Sequence, residues 1–453
     1  MAEAVRHDKT ARQLRMLSDA LDSGRLGPVR RLVNTLSPAE IGNLLESLPP
    51  GKREVVWGLV DPEDDGEVLV HVGDEVRESL LADMDPDEII AAVEDLDIDD
   101  LADLVEDLPD TVIDEVLKSM DRENRERLEQ VLSYPEDTAG RLMNPDVVTV
   151  RADVNVDVVM RFLRLRGELP EHTDHLYVVS RRHQLIGWVA LQDLVTSEPT
   201  MPINKLIDDE LTALHVNESA EGVARQFSDH DWVSAPVVDE NNILLGRITI
   251  DDVVDIIREQ AEHQALGAAG LDEDEDLFSP VRRAVRGRLL WLSVNMCTAF
   301  LAAWVIGQFE ATIERIVALA VLMPIVAGMG GNAGTQVLTL MVRGLALGQV
   351  GSSNARVLLW KEVRVGMING LLLGTVVGLV AFAWFREWPL SLVIGAALTI
   401  NLCAAALAGV LVPLTLKRLN IDPALAGGVV LTTVTDVIGF LSFLGLATAV
   451  LLH

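Results

Sequence analysis

Cysteine and aromatic residues are scarce in this sequence of 453 residues. Only two cysteines occur, Cys297 and Cys403, and both lie inside apolar runs. The sequence therefore offers neither a disulfide framework nor zinc-ligand spacing. It also contains no Ser/His/Asp or Cys/His arrangement with supporting context, and we expect a protein that is not an enzyme.

Basic residues are scarce as well, with 37 Lys and Arg against 69 Asp and Glu. The imbalance is confined to one part of the chain. Residues 281–453 carry 12 basic and 6 acidic side chains, whereas residues 1–280 carry 25 and 63, a net charge of −38. Such a charge repels phosphate backbones, so we expect no nucleic acid partner.

Five apolar runs after residue 280 are each long enough to cross a bilayer, which takes about 20 apolar residues. The runs are Leu289–Phe309, Ile316–Val342, Val365–Phe385, Trp388–Leu416 and Pro423–His453. Ten Lys and Arg flank one side of these runs and two flank the other. The positive-inside rule predicts that the N-terminal part lies in the cytoplasm and the C-terminus outside. The expected location is the plasma (inner) membrane, with several spans.

The second run contains the segment PIVAGMGGNAGTQ (Pro324–Gln336), in which one proline and four glycines fall within eleven residues. We expect this segment to depart from a regular helix, which at membrane depth is tolerated only inside protein or beside a water-filled cavity. Freed carbonyls at Gly331 and its neighbours, with the side chains of Asn332 and Gln336, would be hard oxygen ligands. The alternative is tight helix packing through small residues.

Asp436 lies about midway along the last run, after Thr432 and Thr435. A carboxylate at this depth is expensive unless it is paired or hydrated, and no Lys or Arg lies within any apolar run. We therefore expect Asp436 to bind a cation or a proton; the alternative is a carboxylate hydrogen-bonded to a neighbouring helix. Two copies of the chain would supply two carboxylates, which suits a hydrated Mg²⁺ and predicts a homodimer.

Residues 143–257 contain an internal repeat. The aligned pairs, each 59 residues apart, are Val178 with Val237, Gly187 with Gly246, and Asp193 with Asp252. Each copy reads as strand, turn, strand and a helix opened by Asp, which resembles a pair of CBS domains. CBS pairs bind adenine nucleotides, metals or each other.

The residues before the repeat read as short helices with acidic caps, typical of a small bundle or superhelix. Their densest carboxylate group is Asp95, Asp97, Asp99, Asp100 and Asp103. Divalent cations that bridge such carboxylates would relieve their repulsion. Residues 251–269 read as a helix that leads from the second repeat towards the membrane, either as a transmitter of domain motion or as a passive linker.

This order of elements, with the P…GGN.G.Q and TTVTD motifs, resembles the MgtE family of magnesium channels over essentially the whole chain. The resemblance implies a multidomain fold: an all-α N-terminal superhelix (1–134), an α+β tandem CBS pair (135–199 and 200–257), the rest of a long connecting helix and linker (258–280), and a five-helix transmembrane domain (281–453). It also implies a homodimer whose pore lies at the subunit interface, with Asp436 and Asn332 beside the ion.

The resemblance further implies regulatory Mg²⁺ sites. Asp95 and Asp99 would face Asp251, Asp252 and Asp255 across bound Mg²⁺, with further metal positions at Asp231 and, at the pore mouth, Asp422. The connecting helix departs from the family because His263 and Gln264 replace acids, which leaves Glu259 and Glu262. Some family CBS pairs bind ATP near an Arg–Asp dipeptide; here it is Gln192–Asp193, and ATP binding stays open.

The expected function is therefore a Mg²⁺-selective channel or transporter for magnesium uptake, gated by cytosolic Mg²⁺ on its acidic domains. Membrane lipid, Mg²⁺ and other divalent cations are the expected partners besides the second copy. Two alternatives remain open: a proton-coupled secondary transporter of divalent cations that uses Asp436, and a membrane-anchored cation sensor that transports nothing.

Overall fold

The computed structural model describes residues 17, 20, 21, 23, 26–94, 96–208, 212–267, 269–271, 276–351 and 354–452. The chain divides into two compact units. The N-terminal unit consists of Met1–Glu259 with Asp274–Ser279, and the membrane-helix unit consists of Gln260–Glu273 with Pro280–His453.

The N-terminal unit begins with short helices that are set by their caps. Ser37 accepts a hydrogen bond from the Glu40 amide while the Glu40 carboxylate accepts one from the Ser37 amide, and Asp85 and Glu88 form the same capping box. The helices are α1 Leu26–Val33, α2 Pro38–Glu46, α3 Pro50–Trp57, α4 Asp65–Val70, α5 Asp74–Asp83, α6 Pro86–Val93, α7 Ile98–Glu106, α8 Asp110–Ser119 and α9 Arg122–Leu132. The predicted all-α N-terminal region is confirmed.

The repeat predicted from the sequence is present as two copies of one topology. In each copy the first strand pairs parallel with the second, and the second pairs antiparallel with the third. The elements are α10 Ala139–Leu142, β1 Thr149–Val150, α11 Val156–Arg166, β2 His175–Val179, β3 Leu185–Ala190, α12 Leu191–Thr196, a 3₁₀ turn Ile203–Lys205, β4 Leu214–His215, α13 Ala220–His230, β5 Ser234–Val238 and β6 Leu244–Thr249. Even the irregularity repeats, because the register shifts after Val178 in one copy and after Val237 in the other.

The two aligned glycines have one structural cause. A Cβ on Gly187 would lie 2.4 Å from the carbonyl oxygen of Asp208, and a Cβ on Gly246 would lie 2.8 Å from that of Asn144. In each copy a neighbouring segment crosses the third strand and bridges to it beside the glycine. Only glycine leaves room for this backbone approach.

The N-terminal helices and the second CBS copy share one apolar core. Leu101 and Leu104 of α7 belong to the same buried cluster as Phe227, Val253 and Ile256. The first copy has a core of its own, built around Leu176, Val178 and Leu194. The acidic helices are thus packed against the second copy through hydrophobic contact as well as polar contact.

The helix of the second copy is far longer than that of the first. Helix α12 stops at Thr196, whereas the corresponding helix, α14 (Ile250–Gly267), runs for 18 residues. Its C-terminal end belongs to the membrane-helix unit, where Gly267 lies against Ala424 and Leu425. This is the long connecting helix that the sequence predicts.

The segment before the first membrane helix is held by the N-terminal helices. Arg53 of α3 is 3% exposed, and its Nη2 forms an ion pair of 2.7 Å with Oδ2 of Asp276, which is 8% exposed. The Glu75 carboxylate accepts hydrogen bonds from the Asp276 amide, at 3.0 Å, and from the Ser279 hydroxyl. These partners are more than 200 positions apart in sequence.

Five helices in the described part of the chain are long and apolar enough to span a membrane, as predicted. They are α15 Val281–Gly307, α17 Ala318–Ala346, α18 Ala355–Phe385, α19 Trp388–Arg418 and α20 Pro423–Leu451, with a short helix α16, Glu310–Arg315, between the first two. Four glycines on α18 fall every fourth residue and face α19; they are Gly366, Gly370, Gly374 and Gly378. Close packing through small residues joins these two helices.

The expectation of irregular backbone at Pro324–Gln336 is wrong. The whole segment is α-helical within α17. Two of its glycines are used for close helix packing, because Gly330 lies against Asn401 of α19 and Gly334 against Leu431 of α20. The alternative of packing through small residues therefore describes this part of the segment, and membrane helices tolerate an internal proline such as Pro324.

Removing one partner of the Arg53–Asp276 pair should release the segment Asp276–Ser279 from the N-terminal helices. The variant Arg53→Met leaves a buried carboxylate without its cation, a loss of about 3–5 kcal/mol when one partner of a buried pair is removed. We expect faster amide hydrogen exchange at residues 276–279 in the full chain. The matched control is Arg122→Met, whose pair with Glu126 is largely exposed and worth little. If amide hydrogen exchange at residues 276–279 were unchanged in Arg53→Met, the Arg53–Asp276 pair would not be what holds this segment.

Candidate functional site

The predicted polar residues of α17 lie on its exposed face. Asn332 and Gln336 are exposed, and Gly331 is partly exposed with open space where a Cβ would lie. The Thr335 hydroxyl donates to the Gly331 carbonyl at 3.0 Å, which leaves its oxygen lone pairs outward. Among the described residues, Asn332 and Gln336 have no hydrogen-bond partner. This helix therefore presents a stripe of oxygen-bearing side chains that the described part of the chain leaves exposed.

Asp436 is half-buried on α20, and within the described residues its carboxylate has neither a hydrogen bond nor an ion pair. Thr432, one turn earlier, is exposed and donates its hydroxyl to the carbonyls of Gly428 and Val429. Thr435 is buried and donates to the Thr432 carbonyl at 3.0 Å. The alternative of Asp436 hydrogen-bonded to a neighbouring helix is thus not what this protomer contains.

Helices α17 and α20 run antiparallel in contact. Gly334 lies against Leu431, and one turn further Leu338 lies against Gly427. This register places Asp436 opposite Met329, one residue before Gly330. The two motifs that the sequence singled out therefore belong to one level of the membrane-helix unit.

Asp422 has both carboxylate oxygens engaged. Oδ1 accepts from the Ala424 amide at 2.8 Å and caps α20, while Oδ2 lies 2.7 Å from Nε2 of His263 on the connecting helix. His263 thus gives Asp422 a partner from the chain itself. A metal ion at Asp422 would have to compete with this imidazole.

The acids predicted to bind regulatory Mg²⁺ form a cluster at the N-termini of two helices. Asp99 and Asp100 occupy the first turn of α7, and Asp251 and Asp252 occupy the first turn of α14. Among its charged neighbours, Asp252 acts most strongly on Asp99, whereas Asp100 is affected first by Asp97 and Asp103 and then by Asp251 and Asp255. The Asn144 amide donates to Asp99 at 3.2 Å, and Thr249 donates to Asp251 and Asp252. Helix N-termini stabilise negative charge, which partly offsets the crowding.

Burial and mutual repulsion raise the pKa values of this cluster. Burial is the largest cause, and it raises the pKa of Asp100 to about 7 and that of Asp252 to about 8. The pKa of Asp99 is raised well above its usual value by burial and by Asp252, and the pKa of Asp97 is raised despite Arg247. Two more basic groups lie nearby: His172 is 3.5 Å from Asp251, and buried Arg141 is 4.0 Å from Asp103. Among the described residues, acids therefore outnumber basic groups in this cluster.

The donor chemistry of the cluster fits a hydrated cation better than a fully caged one. Among the described residues, no three Asp, Glu, His or Cys side chains converge closely enough to share one ion. Mg²⁺ retains several waters and takes one or two carboxylates directly, so separated carboxylates are compatible with it.

The remaining predicted metal positions lie apart from this cluster or outside the description. Asp231 is an exposed residue that ends α13 with a left-handed backbone (φ +54°). Glu259 is an exposed residue of α14. Asp95 lies outside the described residues.

Two buried polar residues of the membrane helices were not predicted. Glu362 of α18 is 6% exposed, and its Oε1 pairs with Nζ of Lys361 at 2.7 Å. Asn401 of α19 is fully buried. Glu362 lies just outside the third apolar run, and Asn401 is a lone amide in the middle of the fourth, which is the signal that would have identified it.

Comparison with known proteins agrees with this architecture. Residues 323–446 match the family described as MgtE, divalent cation transporter; residues 36–137 match the MgtE intracellular N domain, and residues 139–198 and 203–259 each match a CBS domain. The magnesium transporter MgtE of Thermus thermophilus is 31% identical over 442 residues, 96% of this chain and 98% of that protein. That of Bacillus subtilis is 28% identical over 431 residues, 95% of each.

Among solved structures, the cytosolic domain of the Mg²⁺ channel MgtE in complex with ATP is 31% identical, with a TM-score of 0.49 over 53% of this chain and 98% of that one. The relationship to the Thermus thermophilus protein extends over both units, from the acidic helices to the last membrane helix. The chain belongs to the MgtE family of divalent cation transporters.

Proposed function

We propose that the chain transports Mg²⁺ across the plasma (inner) membrane and that Asp436 binds the ion on its path. The observation that carries this proposal is a carboxylate within a membrane-spanning helix that has no partner among the described residues. A cation, a proton or water must balance such a charge because hydrocarbon does not solvate it. The naming of two relatives as magnesium transporters supports Mg²⁺ as that cation.

The polar side chains that the two motifs expose on α17 and α20 are oxygen donors. The Asn332 and Gln336 side chains supply amide oxygens, and the Thr432 hydroxyl donates to its own helix, so its lone pairs are left for donors such as water. Hard oxygen ligands and one carboxylate per chain suit a divalent ion that keeps much of its hydration shell. Mg²⁺ has this property to a greater degree than Ca²⁺.

A second copy of the chain would complete the ion path beside α17 and α20. Glycines with open space at the Cβ position lie on the outer faces of α17 and α20; they are Gly328, Gly331, Gly428 and Gly445. Glycine within a helix costs about 1 kcal/mol relative to alanine, so open space at these positions calls for another reason. Close approach of a partner helix is such a reason, and a homodimer would bring two Asp436 side chains to one path.

The apolar outer surface and the terminal aromatics fit contact with lipid. Leu371, Leu379 and Val376 of α18 are exposed, and Trp384 and Trp388 lie at the ends of α18 and α19. Tryptophan is enriched at both membrane interfaces. The distribution of Lys and Arg supports an orientation with the N-terminal unit in the cytoplasm.

Cytosolic Mg²⁺ would regulate transport through the acidic cluster. At high Mg²⁺, cations between α7 and the start of α14 would neutralise Asp99, Asp100, Asp251 and Asp252 and favour the closed arrangement. Near a protein surface each relieved charge pair is worth on the order of 1 kcal/mol, and several act together. At low Mg²⁺ their repulsion would favour opening. ATP binding to the CBS pair remains a prediction.

Asp436→Asn should abolish Mg²⁺ flux because the amide keeps the shape of the side chain but cannot neutralise the ion. We expect uptake into proteoliposomes to fall to the level of protein-free vesicles. Glu387→Gln, at the start of α19, is the matched control and should transport normally. Flux in Asp436→Asn equal to that of the wild type would refute the site, and absence of wild-type flux would favour the sensor alternative. Proton movement coupled to uptake would favour the secondary transporter.

The proposed dimer predicts crosslinking through the outer face of α17. In a background with Cys297→Ser and Cys403→Ala, Thr335→Cys should form a disulfide between two copies in membranes. Leu379→Cys, on the exposed face of α18, is the control and should remain monomeric on a non-reducing gel. Crosslinking at residue 379 but not at residue 335 would place the interface elsewhere.

Asp100→Asn should make the acidic cluster less dependent on Mg²⁺. Loss of one buried negative charge should raise the melting temperature without Mg²⁺ by roughly 2–4 °C, the shift that about 1 kcal/mol gives for a unit of this size. The further rise on adding Mg²⁺ should shrink. Asp83→Asn, at an exposed acid of α5, should behave like the wild type. A full Mg²⁺-induced shift in Asp100→Asn would argue against cation binding here.

A further inference from the structure

Asn401 lies at the meeting point of three membrane helices. It belongs to α19 and is fully buried between one glycine of α17 and one glycine of α20. A Cβ on Gly330 would lie 2.2 Å from the Asn401 amide nitrogen, and a Cβ on Gly439 would lie 2.7 Å from the same atom. The backbones of α17 and α20 therefore approach this amide closely at residues that have no side chain.

Only one end of the amide is hydrogen-bonded. Nδ2 donates to the carbonyl oxygen of Val326 on α17 at 2.8 Å, whereas Oδ1 is buried with no partner among the described residues. A buried polar atom without a partner costs about 1–3 kcal/mol. An apolar side chain of similar shape would avoid this cost, so stability alone does not account for asparagine at this position.

The glycines that enclose Asn401 belong to the turns that carry the candidate ion ligands. Gly330 precedes Asn332 by two residues, and Gly439 follows Asp436 by three. Val326 lies one turn before Gly330, so the hydrogen bond holds the turn that leads into the Gly330–Asn332 segment. A shift of Asn401 would therefore move the candidate ligands of both helices relative to each other.

We propose that Asn401 is a positioning residue for the ion path. Its amide fixes α17 against α20 so that Asn332 and Asp436 stay at the separation that a hydrated divalent cation needs. This inference rests on the proposed transport of Mg²⁺. It assigns a role to a side chain that does not itself touch the ion.

The variant Asn401→Leu separates positioning from stability. Leucine removes both the hydrogen bond and the unpartnered oxygen, so the melting temperature in detergent should stay the same or rise. Loss of ligand placement should raise the half-saturating Mg²⁺ concentration for proteoliposome uptake by about tenfold, a modest effect for misplaced groups. A merely structural defect would lower maximal flux with the amount of folded protein and leave that concentration unchanged.

Thr399→Val is the matched control on the same helix. The Thr399 hydroxyl donates to the Gly395 carbonyl of its own helix, and valine keeps its shape. Both its melting temperature and its half-saturating concentration should match the wild type. Wild-type half-saturation in Asn401→Leu would overturn the proposal, whereas absence of flux in the wild type would refute the proposed function instead.

A second pair of variants covers the case in which leucine does not fit. Asn401→Ala opens a gap, and Gly330→Ala places a methyl group in the same space. The double variant Asn401→Ala/Gly330→Ala should recover the melting temperature lost in Asn401→Ala but keep the raised half-saturating concentration. Recovery of both quantities would show that Asn401 only fills space, and would overturn the proposal.

Discussion

Negative charge without a matching positive charge is the constraint on which both units depend. In the N-terminal unit, acids at the starts of α7 and α14 approach each other and outnumber the described basic groups close by, which include Arg141, Arg247 and His172. In the membrane-helix unit, Asp436 has no partner within the described residues. The acidic cluster and Asp436 both need a cation, a proton or water to offset their negative charge. The free energy required to leave the charge unbalanced differs between them. The cluster can exchange protons and ions with solvent, whereas a carboxylate at membrane depth has few alternatives to an ion.

Repulsion in the acidic cluster acts against an apolar core that the same elements share. Leu101 and Leu104 of α7 belong to the same buried apolar cluster as Val253 and Ile256 of α14. Cation loss would therefore weaken a contact that burial still favours, so a modest electrostatic change can shift the balance. The Arg53–Asp276 pair adds a second connection along the chain, because the segment Asp276–Ser279 that it holds continues directly into α15. A movement of the N-terminal helices thus has two routes along the chain, through α14 and through residues 276–279.

Periodic features of the sequence predicted the fold well. The 59-residue repeat, the five apolar runs and the short capped helices all depend on local spacing, and each is present. The glycine-rich segment of α17 was misjudged because sequence cannot tell a glycine that breaks a helix from one that admits a neighbour. Asn401, Arg53 and Asp276 were missed for a related reason. Their roles depend on partners 75 to 223 positions away, which no local pattern reveals.

Glycine on these helices has two uses that the structure distinguishes. Where a Cβ would strike another helix, as at Gly330, Gly334 and Gly439, the residue permits the contact that holds the unit together. Helices in lipid gain little from the hydrophobic effect, so such close packing must supply the attraction. Where a Cβ would meet nothing, as at Gly331 and Gly428, packing within the protomer gives no reason for glycine. These open glycines share α17 and α20 with Asn332, Thr432 and Asp436, so the proposed dimer surface and the proposed ion ligands belong to the same two helices.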